Sequence, residues 1–410
     1  MTKTTDTDIV IIGAGAAGIG AARRLASLGA DFIWLEASHR VGGRGYTEEI
    51  LPGVPFDLGC HWMHSASLNP MVGFADELGF TYSKQGYPRA GFINGKWITP
   101  AEVEEFGTFY ERQEELMEEK IGVSSDCSVY EATDRESKWT ALFDYYQSLD
   151  CSHDVDQISV RDQLRYNDTD ENWPLKEGYG SLLAKLCGKI PVSLNSAVRN
   201  VDWSGRTIKL ETTAGTITAN KVIVTVSTGI LGAGDIRFTP DLPDWKQEAI
   251  AALPLGNHNR ICIGFDRDVF GPDACDGFTS GDEDGDYFSI NIKPFGAHYA
   301  VGVTGGRFAD WLERAGQQAS VDYMQQKLKS AFGSEITKHA SAQIVTAWRG
   351  DPWVKGAYSG AIPGQAHQRA ELARPLDDRV FFAGEATSEE FFATAHGAYL
   401  SGIAAAETMV

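Results

Sequence analysis

No CxxC pair occurs in this 410-residue chain, and its six cysteines (Cys60, Cys127, Cys151, Cys187, Cys262 and Cys275) follow no regular spacing. Neither a cysteine-based zinc site nor a disulfide framework is indicated, and reduced thiols fit a cytoplasmic setting. No HxxxH motif or ligand-spaced acid cluster points to a metal. No apolar run is long enough to span a bilayer, and no basic leader precedes the first apolar segment, so neither a membrane anchor nor a secretory signal is expected. Positive charge is scarce: 36 Lys and Arg stand against 56 Asp and Glu, a net charge of −20. That balance argues against nucleic acid and anionic membrane as partners, and it suits high solubility and cationic small substrates. No repeat, low-complexity tract or linker divides the chain, whose length predicts two or three domains.

What is present begins at the first residues. The apolar run Asp8-Ile9-Val10-Ile11-Ile12 leads into Gly13-Ala14-Gly15-Ala16-Ala17-Gly18, a small-residue helix, a second apolar run Phe32-Ile33-Trp34-Leu35, and Glu36. Gly13 permits a tight turn, Gly15 lets backbone N–H groups approach a pyrophosphate, and Gly18 permits close helix–strand packing. The helix N-terminus favours negative charge, and Glu36 can accept from ribose hydroxyls. Strand, glycine triplet, helix, strand and acid in this order predict a dinucleotide site, without choosing between NAD and FAD.

Further along, Ala101 to Lys120 has a helical period that puts Val103, Phe106, Tyr110 and Leu116 or Met117 on one face. Acids crowd the other, a run that reads as a solvated surface. Residues 121–190 read as mixed and helical. Between Val192 and Val226 the period falls to two, predicting hairpin strands and then a buried strand, Lys221-Val-Ile-Val-Thr-Val, returning to a sheet. Strands are expected near 287–304, a helix near 318–332, a strand into Trp348, another through Val380–Ala383, and a final helix from about His396.

The C-terminal segment carries the resemblance that selects the cofactor. Arg379-Val-Phe-Phe-Ala-Gly384-Glu385, followed by Ala395-His396-Gly397-Ala398-Tyr399-Leu400-Ser401-Gly402, resembles the closing motif of the FAD-dependent amine oxidase family of monoamine, polyamine and L-amino-acid oxidases and flavin histone demethylases. Its wording is most similar to polyamine oxidases. Three more blocks agree in order: Arg40-Val-Gly-Gly43-Arg44; Asp57-Leu-Gly59-Cys-His61-Trp62-Met-His64; and Trp348 with Tyr358 ten residues on.

The resemblance implies an α/β fold in which a Rossmann-type FAD-binding domain interleaves with an α+β substrate-binding domain, the two-domain architecture also met in glucose-methanol-choline-type flavoproteins. Residues 1–80, 190–265 and 343–410 are expected in the first domain, and 81–189 and 266–342 in the second. It implies cofactor contacts from Gly13, Gly15, Gly18, Glu36, Gly43, Arg44, Gly59, His61, Trp62, Val198, Trp348, Gly384, Glu385, Thr394 and Ala395. Arg44 can answer the pyrophosphate charge with a planar fork. Glu385, at a strand-to-helix turn, can accept from ribityl hydroxyls. The stretch Glu390 to Thr394 holds no cysteine, so non-covalent FAD is expected.

The implied reaction is oxidation of a small-molecule amine. A neutral primary or secondary amine loses hydride from its α-carbon to flavin N5, the imine is hydrolysed to an aldehyde or ketone, and reoxidation by O2 yields hydrogen peroxide. Polyamines are among the candidate substrates. Tyr358 matches one wall of the family's aromatic cage, whereas the other falls at Thr394, which leaves room for a bulkier substrate or for Phe391 or Phe392. Arg260 stands where most relatives have a lysine that assists the oxygen half-reaction. It keeps the charge but loses a deprotonatable ammonium, so another electron acceptor is possible; alternatively it pairs with a substrate carboxylate. His64 could accept the substrate proton or bind a remote amine. Open alternatives are an L-amino-acid oxidase using Arg260 or Arg89, a flavin desaturase or isomerase, an amine dehydrogenase using an acceptor other than O2, and a flavin-bearing scaffold of low turnover.

Overall fold

The computed structural model describes residues 4–85, 89–123, 125–272, 274–282 and 285–409. Its first strand, Thr4–Ile12, lies between Phe32–Leu35 and Gly215–Val224 and runs parallel to both. Val380–Phe382 extends the parallel set on the other side of Val222 to Val224. Where these strands pair side by side, at residues 9–12, Phe32–Leu35, residues 222–224 and Val380–Phe382, they are apolar because both faces of the sheet are covered. Ile9 and Ile11 enter the core shared with the first helix, whereas Val10 and Ile12 enter a second core with Val198, Val201 and Phe382. The expected hairpin strands form as Val198–Asp202, Ile208–Thr212 and the first half of Gly215–Val224. The carboxyl ends at Ile12, Leu35, Val224 and Phe382 therefore lie side by side. The first helix carries the chain from Thr4–Ile12 to Phe32–Leu35 on one side, whereas the neighbour on the other side, Gly215–Val224, comes from a distant segment, which makes this end a topological switch point, where open α/β sheets bind ligands.

A second seven-stranded sheet follows the order Ala340–Val345, His258–Phe265, Tyr299–Gly305, Phe288–Ile292, Gly277–Gly281, Arg89–Ile93, Lys96–Trp97. Its pairings are antiparallel except between Gly277–Gly281 and Arg89–Ile93. The strand His258–Phe265, which the sequence groups with the nucleotide-binding segments, belongs to this sheet. Its alternation explains the difference. Ile261, Ile263 and Phe265 pack on Met324 and Leu328 of the helix Gln317–Phe332, while Cys262 faces a separate core with Leu149, Phe56 and Tyr299. His258 and Arg260 share the Cys262 face by the two-residue period.

The acidic helix runs Pro100–Val123. Met117 is buried as expected, but Val103 is 46% exposed. Gln113 is fully buried on this helix instead, its Oε1 accepting the Asp134 backbone N–H at 2.7 Å. The acid run is also less uniform in role than its charge suggests, because Glu114 and Glu118 line the central cavity.

The first and last helices, Ala16–Ser27 and Ala395–Met409, pack with their backbones in contact. A Cβ on Gly20 would overlap the carbonyl of Tyr399, and one on Gly402 would overlap the carbonyl of Ala17. Elsewhere a fully buried ion pair joins segments distant in sequence. Arg369 Nε and Nη2 donate to both Asp162 oxygens at 2.7 Å, and Nη1 donates to Ser359 Oγ at 3.0 Å.

Two stability predictions follow from these contacts. Gly402→Leu forces the helices apart and should destabilise the protein by about 2 kcal/mol or more; an unchanged thermal midpoint would contradict this packing account. Arg369→Met strands the Asp162 carboxylate in the core and should cost about 3–5 kcal/mol in a denaturant titration, whereas a loss below about 1 kcal/mol would show that the pair is not buried as described.

Candidate active site

One cavity of about 1570 Å³ opens at the switch point and runs between the two sheets. It exceeds the roughly 300–1,000 Å³ typical of small-ligand pockets, enough for a large cofactor and a substrate together. It is lined by Arg260, His64, Tyr358 and every expected cofactor contact except Gly18. Gly18 has the packing role anticipated for it: a Cβ there would overlap the carbonyl of Gly13 and stand 3.2 Å from Trp34 Nε1.

The glycines of the fingerprint separate into two kinds. Gly13 has φ +106°, and its N–H donates to Leu35 O at 2.8 Å, so the turn itself requires glycine. Gly15 has ordinary extended geometry at φ −75°, and the nearest atoms to an added Cβ, in Gly42 and Gly43, are 4.0 Å away. Nothing in the protein demands glycine at 15. Its bare backbone instead leaves the N-terminus of Ala16–Ser27, which has neither a side-chain cap nor an acid in its first turn, open to the cavity. A Cβ on Gly384, also in the lining, would likewise meet nothing within 4 Å. Gly59 is required by its neighbours, since a Cβ would overlap Arg44 O and stand 3.2 Å from Trp348 Cζ2. Gly384 has φ +157°, so its backbone itself favours glycine, and Gly15 is the one whose bare backbone a ligand explains; a large cavity, an uncapped helix end and that open glycine fit a dinucleotide.

Two acids hold the walls of this region. Glu36 accepts the backbone N–H of Ala14 at 2.7 Å and of Ser38 at 2.8 Å, tying the glycine turn to the end of the second strand. Glu385 is buried, and its oxygens accept from Arg44 Nη1 (3.0 Å), Ser359 Oγ (2.7 Å), Ser359 N (3.2 Å) and Ala393 N (3.0 Å). Burial alone would raise its carboxyl, but Arg44, Ser359 and Arg369 hold it below the ordinary range. Its oxygens are thus committed within the protein, which differs from the expected role toward ribityl hydroxyls. Arg44 divides its Nη1 between Glu385 and Ala357 O. The chain after Val380–Phe382 enters a three-residue 3-10 turn, Glu385–Thr387, where the sequence suggests a helix start. The helix whose N-terminus reaches the cavity begins at Ala395.

At the other end, Asp57 anchors the segment that carries Gly59, His61 and Trp62. Its carboxylate accepts from Thr47 Oγ1 (2.6 Å), Tyr179 N (2.9 Å), Gly180 N (3.1 Å) and His61 Nδ1 (3.1 Å). Burial drives the His61 imidazole toward its neutral form against the pull of Asp57, so Nδ1 carries the proton and Nε2 is an acceptor. His64 lies deeper along the same segment. Its Nδ1 meets Asn172 Oδ1 at 2.5 Å, and burial lowers its pKa below the ordinary value, leaving Nε2 as a base. Trp348 donates Nε1 to Leu58 O at 3.3 Å.

Tyr358 lines the cavity with its hydroxyl hydrogen-bonded to Leu149 O and 3.0 Å from His258 Nδ1, a contact that fixes the ring as a wall. Thr394 caps the final helix: its Oγ1 accepts from Gly397 N at 3.0 Å and donates to Phe391 O at 2.7 Å. Phe392 is the aromatic that reaches the lining, stacked beneath Arg369 at 4.0 Å, whereas Phe391 packs on His396 and is not part of it. Arg260 is 9% exposed and donates Nη1 to Asp57 O at 3.1 Å; among the described residues no carboxylate lies within ion-pair distance of it. The side chain of Arg89 lies outside the described residues.

His258, Asp57 and Asn172 are cavity or supporting residues to which the sequence gave no role, whereas Phe392 is one of the two aromatics it offered for the missing wall. His258 was within reach of a pattern argument, since it stands two residues before Arg260 on a strand and so must share its face. Burial, with Arg260 nearby, pushes its pKa down to about 4.

Comparisons with known proteins agree with this geometry. Residues 136–410 match the family profile described as flavin containing amine oxidoreductase, and residues 11–78 match an NAD(P)-binding Rossmann-like domain. The chain is 29% identical to polyamine oxidase 4 of Oryza sativa subsp. japonica, over 97% of this chain and 88% of that one. It is 27% identical to lysine-specific histone demethylase 2 of Homo sapiens over 96% of this chain and 52% of that one. A redesigned putrescine oxidase has the same two-domain fold, with a TM-score of 0.80 and 17% identity over 99% of both chains. The profile covers well over half of the sequence, and the cavity supplies the cradle its cofactor needs: this chain belongs to the flavin containing amine oxidoreductases, and its cofactor is FAD.

Proposed function

We propose that the protein oxidises an amine that carries a second positive charge, in the manner of a polyamine. The observation that supports this is the charge of the cavity mouth. Glu114, Glu118, Asp168, Asp170 and Glu171 line it, with Lys84 as the opposing lysine. Burial and the neighbouring acids Asp170, Glu111, Glu118 and Asp168 raise the Glu114 carboxyl, the signature of crowded negative charge that a cation would relieve. Such a field draws cations from solution and weakens with salt.

In this reading FAD is held non-covalently, with Glu36 and Val198 at its adenosine end, Gly13, Gly15, Gly43 and Arg44 at the pyrophosphate, and Gly59, His61, Trp62, Trp348, Gly384, Glu385 and Ala395 around the flavin. The strands of the first sheet carry the cofactor half, and those of the second, with the helices between 100 and 186, carry the substrate half. When bound, FAD supplies a two-electron acceptor for the α-carbon hydride of a neutral amine. The residues prepare that amine. It arrives protonated, because the mouth selects cations, and His64 Nε2 takes its proton. Tyr358 and Phe392 offer apolar faces that exclude water, with the Tyr358 hydroxyl held away from the amine by Leu149 and His258. Asp57 acts through His61, fixing the segment that passes along the cofactor.

Anaerobic addition of putrescine, spermidine or spermine to the FAD-loaded protein should bleach the flavin, and admitting O2 tests hydrogen peroxide formation. If amines of every class leave the flavin oxidised, the reading fails. Glu114→Gln together with Asp168→Asn should raise KM for spermidine about tenfold at low ionic strength and leave kcat nearly unchanged; equal effects on spermidine and an uncharged-tail alkylamine would refute the role of the mouth. His64→Gln should lower kcat/KM by about 10²-fold. Because the wild-type imidazole titrates below its ordinary pKa, the acid limb of the wild-type profile should lie below about pH 6.5 and vanish in the variant. An unchanged acid limb would assign that proton to another group.

A further inference from the structure

At the cavity mouth the protein keeps one of its own cations on an aromatic face. Lys84 and Trp173 both line the cavity, and Lys84 Nζ stands 4.9 Å from the centroid of the Trp173 ring. Carboxylates are plentiful here, since Asp168, Asp170 and Glu171 share the lining. Hydrogen bonds from Ser67 hold the Glu171 carboxyl below its usual range, and the Lys84 charge adds to the effect. Yet among the described residues no carboxylate lies within ion-pair distance of Lys84 Nζ, and the ammonium rests on the indole instead. Indole is the aromatic face that attracts cations most strongly. In a mouth full of acids, the position that the resident cation takes is the ring.

The ring is fixed and the lysine is free to leave it. Trp173 and Tyr82 stack with centroids 5.5 Å apart and planes 5° from parallel, and Tyr82 OH donates to Asp76 Oδ1 at 2.9 Å. Tyr82 is bridged to Leu175, with Ser83 N donating to Pro174 O at 3.2 Å and Lys176 N to Thr81 O at 2.8 Å. By the two-residue period of that antiparallel pairing, Lys84 stands across from Trp173. On its other side Trp173 pairs with Met63. The half-buried indole is therefore held by neighbours on both sides, whereas Lys84 is exposed and carries its charge on a flexible four-carbon stem. Trp173 is also close to the chemistry. It follows Asn172, whose Oδ1 meets His64 Nδ1 at 2.5 Å.

We infer that Trp173 is the seat of the substrate's second cation and that Lys84 is its built-in competitor. The tail ammonium of the substrate displaces Lys84 from the ring, and Lys84 turns toward the mouth acids. An alkylamine without a second cation leaves Lys84 in place. A lysine tethered across the ladder competes like a free cation at about millimolar concentration, so the pair sets which amines bind rather than the rate of the redox step. The inference rests on the amine-oxidation reading above and names the residues that determine its substrate.

The test is a double-mutant cycle on the FAD-loaded protein at about 0.15 M salt, where long-range charge effects are screened. Lys84→Met should lower KM for spermidine about fivefold, and Trp173→Leu should raise it about fivefold. In the Trp173→Leu background the gain from Lys84→Met should shrink to about twofold or less. A lysine acting by charge alone gives the same gain in both backgrounds, and that result overturns the seat. Butylamine is the reference: its KM relative to that of spermidine should rise in Lys84→Met, and an equal drop for both amines overturns the inference. Hexamethonium, a dication with no amine lone pair, reads the seat without turnover. By calorimetry it should bind Lys84→Met about fivefold tighter than wild type, and equal affinity overturns the seat. If spermidine bleaches the flavin but these ratios do not move, the seat falls and amine oxidation stands. If no amine bleaches the flavin, amine oxidation falls, and hexamethonium still decides the seat. Should Trp173→Leu fail to fold, Trp173→Phe keeps a ring with a weaker pull on cations and should retain only part of the Lys84→Met gain; a full gain overturns the seat.

Discussion

The contact between the first and last helices governs what the remainder of the molecule can do. Gly20 meets Tyr399 and Gly402 meets Ala17 at backbone distance, so the glycine turn at 13–15 and the segment 384–395 are held on one side of the same parallel sheet. Neither segment makes a binding site alone. The first offers an uncapped helix end and Glu36, and the last offers Gly384 and a second helix N-terminus. Their junction is closed by Glu385, which ties Arg44 from the N-terminal half to Ser359 and Ala393 from the C-terminal half. Through Ser359 the junction continues to Arg369 and Asp162, so a chain of hydrogen-bonded charges runs from the cavity wall into the second body of the protein.

Charge placement in the cavity follows one rule. Carboxylates deep in the protein are saturated with donors, and histidines there are driven neutral by burial. Within, the Asp57 carboxylate answers the Arg260 guanidinium, which leaves the acids at the mouth as the unbalanced feature. A site organised this way presents negative charge to a cation at its mouth and neutral imidazoles within, the condition in which an amine exists with its lone pair free. Tyr358 and Phe392 border that space, and their own polar or cationic contacts point away from it.

Much of this was legible in the sequence where chemistry is local. The fingerprint predicted its strand, turn, helix and acid, and Gly18 proved to be a packing glycine for the reason its position implies. The hairpin period of 198–219 and the final helix appeared where expected. What escaped was set by contacts between distant segments. His258–Phe265 reads as an apolar strand that either sheet could accept, and only its partners at 299–305 and 340–345 decide. Val103 has the right period for the core, yet its turn of helix projects into solvent, while Gln113 is buried because it satisfies Asp134. The acids of 101–120 look alike in sequence, and tertiary placement alone distinguishes Glu114 from its neighbours. Asp57 and Asn172 do their work by orienting histidines, which no spacing rule anticipates.

The cavity is a cofactor cradle, and its open glycine at position 15 exists for the ligand rather than for the fold. Gly15→Val tests it directly, because the backbone at 15 suits valine and no protein atom lies within 4 Å of the new Cβ except at that limit. Measured by FAD stoichiometry alongside thermal unfolding of the apoprotein, the variant should fold with a wild-type midpoint and carry little or no FAD. A variant that binds FAD like the wild type, or one that fails to fold, would contradict it.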